Sequence, residues 1–253
     1  MPSNQYEIRD RASYAGSTLA PVSGSERPKV PEPVSHRHIG DDVANYLREL
    51  IMTGHLRSGE FLRLERFAQE IGISNTPVRD ALLSLRAEGF VVLEPRRGFV
   101  VAPLSAEDIG DLFLVQAMIA GELATRATKE LTDERFGEIA AIHDRLEAAR
   151  DDSADQSEQL NFEFHRAINR TASSPKLKWM LSRAVRYAPR LFYGEIRGWR
   201  EASVNDHEKI LGALEKRDAA AAGALMQQHI LHAGELLVEH LRVGRYLSAE
   251  PAE

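Results

Sequence analysis

The run from Phe61 to Val101, FLRLERFAQEIGISNTPVRDALLSLRAEGFVVLEPRRGFVV, constrains the fold more than any other stretch of this chain. Leu64, Phe67, Ala68 and Ile71 stand at i, i+3, i+4 and i+7, which places them on one face of a helix. Gly72 stops that helix. Ser74 or Thr76 can cap the next one, and Pro77 suits its first turn, where a missing N–H costs nothing. Val78, Ala81, Leu82 and Leu85 repeat the apolar stripe, so Asn75, Thr76 and Arg79 point away from the core. Gly89 ends this second helix. Phe90 to Leu93 and Phe99 to Val101 then read as a β-hairpin with Arg96, Arg97 and Gly98 at its tip. Two helices, a tight turn and a hairpin, in that order, predict a winged helix-turn-helix, whose second helix enters the major groove by its start.

The same stretch resembles the DNA-binding domain of GntR-type bacterial transcription regulators, over about 65 residues from His38. Ser-Asn-Thr-Pro-Val-Arg-Asp-Ala-Leu is the most specific piece. The resemblance implies that Arg66, Ser74, Thr76 and Arg79 contact phosphates or bases of double-stranded operator DNA. It also implies that Gly98, with Arg96 and Arg97, reaches the minor groove. Asn75 stands where the family usually has arginine. Asparagine pairs well with adenine and arginine with guanine, so the operator is expected to differ at that base.

Composition bounds the remainder. At 253 residues, 43% hydrophobic and 28% charged, the chain has room for two domains. It has no cysteine, which excludes disulfides and thiolate metal sites. No apolar run approaches the roughly 20 residues of a membrane span, and the N-terminus lacks a signal-peptide core. The expectation is a cytoplasmic protein with no membrane partner. Net charge is −6, and residues 38–101 hold eight Arg and Lys against nine Asp and Glu. Nucleic-acid binding therefore rests on where Arg63, Arg66, Arg79, Arg96 and Arg97 fall rather than on bulk charge.

Residues 1–35 are rich in Pro, Ser, Gly and charge and read as a flexible extension. Ile39, Val43, Tyr46, Leu47, Leu50 and Ile51 then give an amphipathic helix ending near Gly54, which completes a three-helix winged domain over 36–102. After Pro103 nearly everything has helical period. Ser-Ala-Glu-Asp from Ser105 is a capping box with Asp at its fourth place. Helices are expected at about 105–128, 132–151, 155–172, 175–193, 200–216 and 218–243. Pro175 and Pro189 limit or kink the fourth. The fold class is mainly α: a winged helix-turn-helix, then an all-helical bundle of about six helices over 103–245 and a flexible tail over 246–253.

Asn161 and His165 lie at i, i+4 in LNFEFHRAI, while His207 and His229 each sit on a helix of their own. Three imidazoles from three helices, with one oxygen donor, can converge on a first-row metal ion. Taken singly, each histidine is more often a hydrogen-bonded structural residue. This half resembles the FCD ligand-binding domain of the FadR subfamily, and the resemblance implies that Asn161, His165, His207 and His229 hold a divalent metal. Zinc suits imidazole best, with manganese or nickel also compatible. The family's usual Asp is Asn161 here, a weaker ligand that leaves the site one charge more positive.

The subfamily commonly carries an Arg and then a Glu on the first bundle helix, with the Arg open to a ligand carboxylate. Here Gln116 and Ala120 stand in their place, so an organic-acid effector loses a bidentate partner. Gln116 remains the effector-facing position. Arg126, and after it Arg183 and Arg186, are the replacement cations. His143, His232 and His240 read as structural, although His232, one turn from His229, has ligand spacing. No phosphate loop, Gly-x-Ser-x-Gly elbow or His-Glu-x-x-His pair is present.

The expectation is a homodimeric regulator, not an enzyme: a repressor that binds a palindrome and is released by a small acid. The rivals are a metal-dependent hydrolase and a DNA-binding dimer that senses nothing.

Overall fold

The computed structural model describes residues 36–149, 154–188, 196–244 and 246–247. The expected extension over 1–35, and the tail apart from Tyr246 and Leu247, lie outside the described residues.

Helix α1 (His36–Met52) packs on α3 (Asn75–Ala87), with α2 (Leu64–Ile71) beside them. Val43, Leu47 and Ile51 of α1 are buried with Val78, Leu82 and Leu85 of α3, as the apolar spacing predicts. The stripe of α2 is narrower than its spacing suggests. Phe67 and Ala68 are buried, whereas Ile71 is exposed because Gly72 turns the chain at φ 77° directly after it. Three antiparallel strands, β1 (Phe61–Leu62), β2 (Val91–Glu94) and β3 (Gly98–Val101), pair in the order β1-β3-β2. The hairpin arms are shifted from expectation: Phe90 precedes β2 and fills the core instead, and Gly98 opens β3. Arg96 holds φ 67° and Gly98 φ 91° at the tip, a left-handed turn that an unbranched or absent side chain tolerates.

The helical half begins at α4 (Ala106–Glu130). Ser105 caps it through a full capping box with Asp108. Then come α5 (Asp133–Ala148), α6 (Ala154–Thr171), α7 (Pro175–Ala184), α8 (Trp199–Glu215) and α9 (Ala219–Val243). The fourth bundle helix is shorter than its predicted span to residue 193. It ends at Ala184 and continues as a 3-10 turn, Val185–Tyr187. Ala188 is extended at φ −105°, ψ 127°, which is the conformation a following proline imposes, and Pro189 follows. Helices α4 and α9 run antiparallel in close contact. A Cβ at Gly223 would collide with Thr125, and one at Gly234 with Phe113, so glycine is required for this approach.

Arg48 is a fully buried charge on α1, which apolar spacing does not reveal. Its guanidinium forms a bidentate pair with Glu88 at 2.8 and 2.9 Å, donates to Asn45, and lies 5.3 Å from the ring centre of Tyr187. Tyr187 in turn stacks on Phe90 at 5.8 Å. The turn after α7 is thus clamped to the winged half, and one apolar cluster runs from Phe90 and Val91 through Ile109 and Phe113 to Leu237.

Candidate metal centre and nucleic-acid interface

Ser74, Asn75, Thr76 and Arg79 are all exposed at the start of α3. Ser74 occupies the N-cap position without a side-chain cap bond, which leaves its hydroxyl free of the helix end. Arg66 is exposed on α2 and bonds Glu70 at 2.8 Å, while Arg97 bonds Glu94 at 2.7 Å and Arg96 is exposed at the tip. Such exposed pairs contribute little stability and exchange readily for phosphate. The amides at the open start of α3 add a partial positive charge.

The second site is assembled from α6, α8 and α9. Nε2 of His207 lies 3.3 Å from Nε2 of His165 and 3.3 Å from that of His229, and the latter two are 3.2 Å apart. Each Nε2 carries either a proton or a lone pair. Among three in mutual contact, at least one pair must be alike and repel. A divalent cation that accepts all three lone pairs removes the conflict. The spacing also fits: zinc bound at about 2.0–2.1 Å with tetrahedral angles sets nitrogens roughly 3.3–3.4 Å apart. Burial pushes His165 down to about 3, helped by His229. Burial likewise holds His207 well below the usual imidazole range, helped by His229, His165 and His143. Both rings are therefore neutral at pH 7, with lone pairs available to a metal.

The surroundings fix the rings unequally. His207 is wholly buried and stacks on Phe164 at 4.0 Å, but its Nδ1 has no hydrogen-bond partner among the described residues. His229 presents Nδ1 to the carboxylate of Asp206 at 3.6 Å. Asp206 is held below the usual carboxylate range by His229 first, then by hydrogen bonds to His232 at 3.0 Å and Lys209 at 2.9 Å. His232 is thereby placed outside the three-nitrogen cluster, on Asp206. Asp206 stands directly before His207 in the sequence. Its contact with α9 needs the tertiary fold, and no local spacing signals it. His143 is buried and faces the carbonyl of Val204 at 3.3 Å.

Asn161 is buried, and its Oδ1 accepts a hydrogen bond from Ser203 Oγ at 3.0 Å. A cavity of about 450 Å³ opens beside His165 and His229, with Asn161, Gln116 and Trp199 also in its wall. Gln116 donates to the carbonyl of Leu112. Arg126 does not line this cavity; it bonds Glu122 at 2.7 Å and Ser174 at 2.8 Å. Arg183 and Arg186 do not line it either, whereas Arg166, Arg170 and Lys178 do. These three belong to turns of α6 and α7 whose common orientation the sequence does not disclose.

Residues 39–101 match the family described as bacterial regulatory proteins, gntR family, and residues 111–232 match the FCD domain. The chain belongs to the gntR family of bacterial regulators. As a gntR-family chain with an FCD domain it is a transcription regulator, and its relatives are regulators rather than enzymes. The Nta operon transcriptional regulator of Aminobacter aminovorans is 27% identical over 74% of this chain and 89% of that protein. The HTH-type transcriptional repressor GlaR of Escherichia coli (strain K12) is 27% identical over 75% of this chain and 91% of its own. Among solved structures, E. coli McbR/YncC aligns with a TM-score of 0.60 at 21% identity, covering 82% of this chain and 99% of that one, which shows a shared fold. Among the described residues, no helix of this gntR-family chain is long and apolar enough to cross a membrane.

Proposed function

We propose that this regulator is a cytoplasmic homodimeric repressor. It binds a palindromic operator through its winged domains, over residues 36–102, and is released by a small organic acid received in the bundle over 103–245. The observation that carries this reading is the convergence of three imidazole nitrogens at 3.2–3.3 Å on the wall of a cavity. His165, His207 and His229 would hold the metal, with zinc the best match to the spacing. When bound, a divalent ion supplies a positive centre suited to a carboxylate. The protein's own part is to keep His165 and His207 neutral by burial, to hold His229 against Asp206 and to shape an apolar chamber with Phe113, Phe162, Trp199 and Ile230.

Dimerisation is supported by apolar side chains left in water on neighbouring helices. Leu114, Val115 and Met118 of α4 and Trp179 and Met180 of α7 are exposed, Met118 by 60% and Trp179 by 57%. A second copy covering this face would remove it from solvent.

A route from cavity to DNA is supported by the turn after α7. Val185 and Ala188 line the cavity, and Tyr187 between them is clamped by Arg48 and Phe90. A ligand that shifts this turn changes how the winged half is held. For hundredfold release, the ligand must favour one state over the other by about 2.7 kcal/mol.

Selection of bound duplexes from a random library, using metal-loaded protein, tests the reading. A two-fold symmetric site with half-sites about one helical turn or less apart is expected. Enrichment of an asymmetric site, or of none, would overturn the dimeric-operator reading.

A further inference from the structure

The resemblance places a metal ligand at position 161, but the geometry around Asn161 favours a different role. Asn161 and His165 are one turn apart on α6, as Ser203 and His207 are on α8. The two helices are joined at both levels: Asn161 to Ser203 at 3.0 Å and His165 to His207 at 3.3 Å. The amide–hydroxyl pair thus forms a layer displaced by about 6 Å of helix rise from the imidazole layer.

Within its layer the amide is oriented. Ser203, itself buried, donates its hydroxyl proton to Asn161 Oδ1, the one atom of the side chain able to ligate a cation. The amide nitrogen, with two N–H donors and no acceptor, has no protein partner among the described residues, and Asn161 lines the cavity with His165 and His229. Two uncommitted donors on that wall repel a cation and attract an anion. An aspartate there would do the reverse.

We infer that Asn161, held by Ser203, is the hydrogen-bond donor that receives an anionic oxygen of the effector beside the three-histidine site, and is not a metal ligand. This rests on the metal reading above and deepens it. The chain exchanges a fourth protein ligand for an anion-binding group. Glu158 also lines the cavity, but Arg166, Arg170 and Lys178 line it too, so the wall around Asn161 is cationic on balance and suits an acid. Recognition of the effector's oxyanion is shared between the metal and the Asn161 N–H groups, which compensates for the missing arginine at Gln116.

The test uses the full chain with Co(II), whose visible spectrum reports its coordination, and acetate as the anion. Asn161→Ala is expected to keep Co(II) affinity within about threefold and to weaken acetate by about tenfold, as for loss of a hydrogen bond to a charged group. Asn161→Asp is expected to tighten Co(II) and weaken acetate. Ser203→Ala, which frees the amide without deleting it, is expected to weaken acetate and leave Co(II) unchanged; it also serves if Asn161→Ala fails to fold. Loss of Co(II) in Asn161→Ala would show that Asn161 is a ligand and overturn the inference. So would unchanged acetate affinity in Asn161→Ala and Ser203→Ala. If the unaltered protein takes up no Co(II), the metal reading itself falls, and this one with it.

Discussion

The start of α3 and the three-histidine centre are both built on helices, but they differ in how much of the chain each requires. The proposed DNA-reading surface comes from one continuous stretch, in which Ser74, Asn75, Thr76 and Arg79 are all exposed. The centre needs His165, His207 and His229, separated by 42 and 22 positions, with His207 fully buried. An exposed, local site can change without disturbing the core. A buried site made from three helices is part of the core, so its chemistry and the stability of the fold are linked.

That contrast can be broken most directly at His207. Replacing it with alanine should abolish metal binding and cost about 3 kcal/mol or more, because a buried ring stacked on Phe164 is removed and leaves a cavity. Chemical denaturation with elemental analysis reads both effects, and an unchanged unfolding midpoint would erase the distinction. The opposite behaviour is expected at Arg79. Arg79→Ala should weaken operator binding about 10- to 100-fold, the range of a lost base contact, with no change in the unfolding midpoint. Fluorescence anisotropy on the selected duplex measures it, and undiminished affinity would count against docking by α3. The smallest effect belongs to Asp206→Asn, which should lower metal affinity by about tenfold through loosened orientation of His229. Competition against a chelating dye reads this, and equal affinity would mean that Asp206 serves only His232 and Lys209.

The same contrast explains how much was legible beforehand. The capping box at Ser105, the stripe of α3 and the placing of Arg96 and Arg97 at the hairpin tip follow from local spacing and turn chemistry, and each is present in the fold. The three histidines were legible as candidates because helical period put them on inward faces and the FCD resemblance selected them. What was not legible depends on partners far away in sequence. Arg48 can be buried only because Glu88, forty positions on, matches its guanidinium and Tyr187 covers it. Arg126 stood on an apolar-patterned helix like any effector cation, yet Glu122 and Ser174 hold it away from the cavity. Asp206 gains its role only from α9, which brings His229 and His232 against it. Periodicity locates a face; it does not say which residue of another helix meets that face.

The central claim, that the bundle is organised around a metal and not simply packed on three histidines, is tested most directly by elemental analysis of the purified chain. The His165/His207/His229→Ala triple variant should be analysed in parallel. About one zinc per chain in the natural protein and none in the variant is the predicted result. A metal-free protein purified without chelators, or equal metal in both, would contradict it.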